Sequence, residues 1–182
     1  MILYKSHEVI KLTGIKGNRL KYMDEHEKVI PYKRSASTRY YTEEQLLEII
    51  QYMNKAVDVA YVCLGYTNNV NASSNVDKLN NLLKKKELQM KNCIVNYNDS
   101  KDIVFVSDII VNREFKGSNL EMISKKAIKG VIKRVYVDTE IGFPTDLIPE
   151  YTKWLSYVNV ELIDLARLRS EKSIEEEVTS NE

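Results

Sequence analysis

The chain has 182 residues, enough for one ordinary domain with a small one beside it, or for a single larger domain. Hydrophobic residues make up 43% and charged residues 29%, which is typical of a globular protein, and no apolar run approaches the ~20 residues that span a bilayer. The first residues lack the pattern of a signal peptide, so the sequence predicts an intracellular protein without membrane contact.

The net charge of +1 conceals an uneven distribution along the chain. Residues 1–41 carry nine Lys and Arg against four Asp and Glu, whereas residues 42–182 carry eighteen against twenty-two. A basic head before a mildly acidic body predicts that any contact with a polyanion is made by the N-terminal segment. The two cysteines, Cys63 and Cys93, lie in apolar stretches without metal-ligand spacing, and we predict neither a disulfide, a metal site nor a cofactor.

The N-terminal segment has the spacing of a helix-turn-helix. Residues 6–13 predict a short helix that Gly14 ends, because glycine readily adopts the left-handed backbone of a helix C-terminus. Residues 16–27 predict a second helix, with Leu20 and Met23 on its buried side. The second helix of such a unit is the one that can enter the major groove of DNA.

A polar, basic segment follows Pro31. Residues 32–41 are rich in turn-forming and basic residues, which favours a hairpin wing. Thr42 and Gln45 form a capping box, and this box predicts a third helix over residues 43–55.

A different pattern starts at Val57, where apolar runs of strand length begin to alternate with amphipathic segments. This alternation predicts an α/β domain with a mainly parallel sheet. The predicted strands are 57–64, 92–95, 103–106, 131–137 and 160–165, and the predicted helices are 76–88, 120–128 and 147–157, with a polar loop over 65–74. We therefore divide the chain into a DNA-binding head, 1–54, an α/β body, 57–168, and an acidic tail expected to be disordered, 169–182.

The candidate binding residues are polar and lie on the second helix and the wing. The first turns of a recognition helix reach base edges or phosphates, and Arg and Asn can make bidentate contacts with guanine and adenine. Basic side chains on a wing can contact flanking phosphates. The candidate DNA-binding residues are Lys16, Asn18, Arg19, Lys21, Lys33, Arg34 and Arg39. A solvated charged face on a small helical unit is the alternative interpretation of each residue taken singly.

Four motifs of the head resemble one family across residues 4–50. They are similar to the MerR-type winged helix-turn-helix at Leu12-Thr13-Gly14-Ile15, Asn18-Arg19-Leu20-Lys21-Tyr22, Ile30-Pro31 and Arg39-Tyr40-Tyr41-Thr42. The sequence departs from the family at Asn18 and at Ser37-Thr38, where the family often has Thr and a glycine pair or Gly-His. The resemblance implies a DNA-binding head.

The body resembles the serine recombinases of certain insertion sequences, in which a MerR-type head precedes an α/β domain. Residues 60–69 are similar to the opening strand of that family, and residues 108–120 have the spacing of its middle segment. Residues 131–137 and 154–165 look like the elements around its Asp-Arg-Leu-x-Arg motif. In such enzymes a serine attacks a DNA phosphate, and arginines hold the charge that develops on the phosphoryl oxygens.

Position by position, the resemblance implies that this catalytic set is lost. Gly65 stands at the position of the nucleophile and Cys63 at the position of the arginine two residues earlier. Gly117 replaces the arginine of the middle segment, and Gly142 and Thr145 replace the two arginines of the later motif. Glycine offers no nucleophile, and no neutral side chain substitutes for a guanidinium. The nearest remaining arginines, Arg113 and Arg134, are interpreted as ordinary surface charges.

These observations together predict a non-catalytic DNA-binding protein, regulatory or DNA-organising, whose partner is double-stranded DNA. A homodimer is compatible with this prediction, and no small-molecule substrate is expected. One alternative is a divergent recombinase or transposase that uses a loop hydroxyl, from Tyr66, Thr67, Ser73 or Ser74; another is a protein-interaction module. The Lys-, Asn-, Tyr- and Ile-rich composition fits an AT-rich viral genome or an AT-rich bacterium equally, and so predicts the host nucleus or nucleolus, or a bacterial cytoplasm.

Overall fold

The computed structural model describes residues 2–35, 38–66, 76–97, 103–111 and 119–171. It contains a three-stranded antiparallel sheet near the N-terminus and a four-stranded parallel sheet after it. The predicted mixed α/β class is therefore confirmed. The predicted loop over 65–74 and the predicted tail lie mostly outside the described residues.

The head, residues 2–54, combines a small sheet with three helices. Its elements are β1 (Leu3–Lys5), α1 (Ser6–Thr13), α2 (Gly17–Glu25), β2 (Lys33–Ser35), β3 (Thr38–Thr42) and α3 (Glu43–Tyr52). Strands β2 and β3 form the predicted hairpin, and β1, which the sequence pattern did not indicate, pairs with the other side of β3.

Local signals set the ends of the head helices. Gly14 ends α1 with φ +70°, and its N–H donates to Ile10 O at 2.9 Å. The capping box of α3 is present as predicted, because Gln45 N donates to Thr42 Oγ1 at 3.2 Å and Thr42 N donates to Gln45 Oε1 at 3.0 Å. Helix α2 is shorter than predicted at both ends, and Glu27, with φ +52°, follows its end in the left-handed region.

The body, residues 57–171, is built on a parallel sheet with the strand order β5-β4-β6-β7. Its elements are β4 (Val57–Tyr66), α4 (Val76–Tyr97), β5 (Ile103–Val111), α5 (Asn119–Ile128), β6 (Ile132–Val137), α6 (Ile148–Ser156), β7 (Glu161–Asp164) and α7 (residues 165–171). The first strand of the body is thus central, and the chain adds β5 on one side of it before it crosses to β6 and β7 on the other.

Two predictions for the body were wrong. Residues 92–95, predicted as a strand, belong to α4, because Met90 and Ile94 are both buried and their spacing of four places them on one helix face. The predicted tail begins too early, since residues 169–171 are helical and the Arg169 side chain pairs with the buried Asp138 carboxylate.

The head packs directly against the edge strand β5. The hydroxyl of Tyr4 donates to Phe105 O at 2.6 Å and accepts from Phe105 N at 3.0 Å, which satisfies both backbone groups of that residue on the open side of the sheet. Lys126 Nζ donates to Gln51 Oε1 at 3.2 Å, and one hydrophobic cluster includes residues of both head and body. The buried contacts therefore cross the boundary predicted near residues 54–58.

Candidate nucleic-acid interface

A depression of about 560 Å³ lies on the exposed side of α2. Helix α2 supplies three of its lining residues, the residue that precedes α2 supplies a fourth and α3 supplies one. The lining residues are Lys16, Asn18, Arg19, Tyr22 and Tyr52. Three of the predicted DNA-binding residues are therefore brought together, beside two tyrosines that were not predicted.

The position of this depression follows from the buried sides of the two helices. Leu20 and Met23 are buried in the core, which leaves the opposite side of α2 in solvent. Ile49 and Ile50 are fully buried and fix the last turn of α3, so that the Tyr52 ring lies at the end of that helix and is 46% exposed. The two helices thus line the depression together.

Arg19 spans the gap between the helices. Its guanidinium carbon lies 5.4 Å from the centroid of the Tyr52 ring, within the range of a cation–π contact. The Tyr22 ring stacks on the ring of His26 at a centroid distance of 3.9 Å. These contacts hold a cation and two aromatic rings at one place on the surface, and they leave the Arg19 hydrogen-bond donors unpaired with any carboxylate of the described residues.

Lys21 and Lys33 lie outside the depression. Lys21 is exposed and forms an ion pair with Glu25 at 3.4 Å, an (i, i+4) contact that contributes little in solvent. Lys33 is exposed on β2, and strand alternation places it on the opposite face of the hairpin from Arg34. Both residues are accessible, and neither extends the surface that Lys16, Asn18 and Arg19 form.

The two wing arginines have an internal partner. Arg34 and Arg39 are directly opposite in the β2–β3 ladder, where two like charges would repel. The carboxylate of Asp24, which is only 5% exposed, lies between them: it pairs with Arg34 and accepts from Arg39 Nε at 2.5 Å. The wing is therefore fastened to α2 through Asp24, and Arg39 is half-buried in this contact.

Sequence reasoning missed Asp24. Its signal was present in the chain, because two arginines at opposing positions of a short hairpin need a counter-charge close by. Burial and the neighbouring Asp24 carboxylate also raise the pKa of the Tyr41 hydroxyl.

The carboxyl end of the parallel sheet contains the positions that the recombinase resemblance singled out. Cys63 is buried in β4, and burial raises the pKa of its thiol to about 12, so the thiol stays protonated at neutral pH. Gly65 is the last residue but one of β4, and Thr145 is exposed at the start of a short 3-10 turn, Thr145–Leu147. Gly117 lies outside the described residues.

Gly142 closes the end of β4. Its φ of +133° is rare for other residues, and a Cβ atom there would lie 2.9 Å from the Cys63 carbonyl oxygen. In open parallel sheets, ligands bind outside the carboxyl ends of the strands where the chain reverses its winding, which in this sheet lies between β4 and β6. The loop after β6 therefore lies directly on the backbone at that point.

The arginines described in the body form ion pairs. Arg134 was interpreted as an ordinary surface charge, but it donates two hydrogen bonds to the buried Asp58 carboxylate, at 3.1 and 2.8 Å, and this contact raises its pKa. Arg169 binds Asp138 at 2.7 and 3.0 Å, and Arg167 pairs with Glu171. Arg113 lies outside the described residues.

A pair formed by a buried tyrosine and a partly buried carboxylate joins β4, β5 and α5. Tyr61 OH donates to Asp108 Oδ2 at 2.8 Å, and the same oxygen accepts from Leu120 N at 3.3 Å, near the start of α5. Burial raises the pKa of both side chains, and the carboxylate raises that of the tyrosine further. The pair thus has a structural function at the strand ends.

No protein-family model, no curated protein and no solved structure matches this chain. In the part of the chain that the structure describes, no helix is long and apolar enough to cross a membrane. Those same residues contain no group of three or more His, Cys, Asp or Glu side chains arranged to hold a metal ion.

Proposed function

We propose that this protein binds double-stranded DNA through the exposed side of α2 and catalyses no reaction on it. The observation that carries the proposal is the clustering of Lys16, Asn18 and Arg19 around one depression on a short helix. Two cations and an amide at one place offer charge for phosphates and hydrogen-bond donors for base edges. The excess of basic residues in the first 41 residues and the resemblance to MerR-type heads support the same interpretation.

The predicted residues have different functions in this proposal. Lys16 and Arg19 contact the DNA, and Asn18 reads a base edge. Lys21 and Lys33 add positive potential at the margins. Arg39 and Arg34 hold the hairpin against α2 through Asp24, and Arg34, with 61% of its side chain exposed, can still approach a phosphate.

The body serves as a scaffold in this proposal. Strand transfer to DNA needs an exposed nucleophile surrounded by cations that stabilise the phosphoryl oxygens. The Cys63 thiol is buried and protonated, Gly142 lies on the end of β4, and the arginines described in the body are paired with carboxylates. These contacts support the scaffold interpretation for the described positions, whereas Thr67, Ser73 and Ser74, the loop hydroxyls of the divergent-recombinase alternative, lie outside the described residues.

The test is a comparison of two double variants of equal charge. Lys16→Ala with Arg19→Ala removes the cations of the depression, whereas Lys129→Ala with Lys133→Ala removes two exposed lysines of the body. Fluorescence anisotropy with a labelled duplex measures affinity between about 50 and about 200 mM salt. We expect the first variant to lose roughly tenfold or more in affinity and about 0.9 in salt slope per lost phosphate contact. Equal affinities and slopes for both variants would overturn the proposal.

The absence of catalysis is tested separately. The full-length protein is incubated with nicked suicide duplexes of varied sequence, and protein–DNA adducts are sought by denaturing gel electrophoresis and mass spectrometry. We expect no covalent adduct. An adduct that disappears when one hydroxyl residue is substituted would establish a recombinase instead.

A further inference from the structure

We infer that the depression beside α2 receives a single unpaired nucleobase, so that this protein prefers DNA with a base out of the helical stack. The inference rests on the proposed function, because it specifies which form of DNA the same surface binds. It concerns Tyr22 and Tyr52, which the proposal above leaves without a function.

The two tyrosines expose large aromatic surfaces. Tyr22 is 47% exposed and Tyr52 is 46% exposed, and they line the same depression from two different helices. Neither is needed to fill the core, which is formed by Leu20, Met23 and the isoleucines of α3. His26 covers one side of the Tyr22 ring and Arg19 lies over the Tyr52 ring. The exposed remainder of each ring, beside two cations, is the kind of surface on which proteins stack nucleobases, since every base has a π-face.

The charges and the open shape of the depression suit one nucleotide. The depression, of about 560 Å³, is open to solvent, so a base can reach it from outside without any rearrangement of the helices. Lys16 and Arg19 can neutralise the phosphates on either side of a base, and Asn18 offers both a donor and an acceptor to its edge. Acidic side chains do not line the depression, so its chemistry is complementary to an anionic ligand with an aromatic part.

A paired base cannot use this site. In a duplex both faces of each base are covered by stacking, and only the edges reach the grooves. Contact with a tyrosine ring face therefore requires a base that has left the stack, which costs least at a bulge, a mismatch or a single-stranded segment.

The experiment compares three oligonucleotides of one sequence with the full-length protein. They are a perfect duplex, the same duplex with one bulged 2-aminopurine, and the single strand containing that base. We expect the bulged duplex to bind about tenfold more tightly than the perfect duplex, with quenching of the 2-aminopurine fluorescence by stacking. Tyr22→Leu and Tyr52→Leu should each remove most of the preference and the quenching, and Tyr22→Phe and Tyr52→Phe should keep both.

A matched control uses Tyr157, which is 73% exposed on the body. Tyr157→Leu should leave affinity and quenching unchanged, and circular dichroism checks that each variant is folded. If the perfect and bulged duplexes bind equally and the leucine variants behave as the wild type, the inference fails and the proposed function stands. If none of the three oligonucleotides binds, the proposed function fails and the inference fails with it. Tight binding of the single strand alone would support the stacking site and contradict duplex recognition.

Discussion

The exposed side of α2 and the carboxyl end of the parallel sheet differ in how their polar side chains are paired. On α2, Lys16 and Arg19 are exposed, and neither pairs with a carboxylate of the described residues. At the sheet, the Tyr61 hydroxyl and the Asp138 carboxylate both have partners within the protein. The first region has charge without a carboxylate partner, whereas these two described polar groups of the second are paired within the protein.

The type of a residue therefore does not by itself decide its function. The head contains three arginines, and only Arg19 lacks a carboxylate partner among the described residues, because Asp24 pairs with both Arg34 and Arg39. A carboxylate partner neutralises part of the charge of a guanidinium and occupies some of its five donors, so that less of both is available to a phosphate. The availability of a charge is therefore set by what the fold places next to it.

The largest expected effect comes from a substitution at Gly142, where the loop after β6 contacts β4. Gly142→Ala places a Cβ atom 2.9 Å from the Cys63 carbonyl oxygen and imposes a φ of +133° on alanine. We expect the free energy of unfolding to fall by about 3 kcal/mol, measured by urea denaturation. Gly130→Ala is the control, because its φ of +69° is also left-handed but its surroundings are empty, and it should lose only about 1 kcal/mol. Equal losses would show that the contact with β4 is unimportant.

The second prediction tests whether Asp24 stabilises the two paired arginines of the head. Asp24→Asn leaves Arg34 and Arg39 opposite each other without a counter-charge, and we expect a loss of about 2 kcal/mol in the free energy of unfolding. The loss is below that of a fully buried pair because both arginines are partly exposed. Glu25→Gln, which removes an exposed carboxylate one residue later, should change stability by less than about 0.5 kcal/mol. Similar stabilities for the two variants would show that Asp24 does not stabilise the hairpin.

A third prediction tests the contact that joins the two regions. Tyr4→Phe deletes the hydroxyl that satisfies Phe105 N and O, and leaving these two groups buried without a partner should cost about 1.5 kcal/mol. Tyr41→Phe is the control, because Tyr41 is also buried but its hydroxyl satisfies no backbone group in the described ranges. Thermal unfolding should show a lower midpoint for Tyr4→Phe and no decrease for Tyr41→Phe. A decrease of the same size in both would mean that the cost does not come from the hydrogen bonds to Phe105.

The smallest effect concerns the pH dependence of stability at the same junction, the contact between head and body. Glu43 is buried in α3, where its carboxylate accepts from Ile2 N at 2.6 Å and from Ser107 Oγ at 3.4 Å. Burial raises the pKa of Glu43 above its ordinary value of 4.5. Its contribution to stability is therefore complete below the unfolded pKa and is lost as pH rises through the folded pKa.

Glu43→Gln should become more stable relative to the wild type as the pH rises from about 4 to about 7, by roughly 1 kcal/mol or less. Urea denaturation at several pH values measures this difference. Glu44→Gln, which changes an exposed residue in the same turn of α3, provides the control for the effect of charge on the helix terminus. A Glu43→Gln variant whose relative stability falls as pH rises would show that the buried charge stabilises the junction.

Much of the secondary structure could be predicted because its signals are local. Gly14 ends α1, the box of Thr42 and Gln45 starts α3, and β-branched runs mark β4 and β6. The strand β1 was missed because three residues are too few to show an alternation. The segment 92–95 was assigned to the wrong element because its β-branched residues were given more weight than the helical spacing of Met90 and Ile94.

The candidate site was predictable only in part. Lys16, Asn18 and Arg19 could be placed on one helix from their spacing, whereas Tyr52 joins them from another helix far along the chain. Asp24 was overlooked because its partners lie on a hairpin that begins several residues later.

Sequence alone was enough for the helices of the head, the parallel character of the body and the basic character of the head, because these depend on neighbouring residues and on composition. The tertiary structure alone decided which charges are available. It paired Arg134 with Asp58, Arg39 with Asp24 and Arg169 with Asp138, and left Arg19 over the ring of Tyr52. The physical reason is that an ion pair depends on distance in space, and residues that are remote in the chain meet only when the core has placed their elements together.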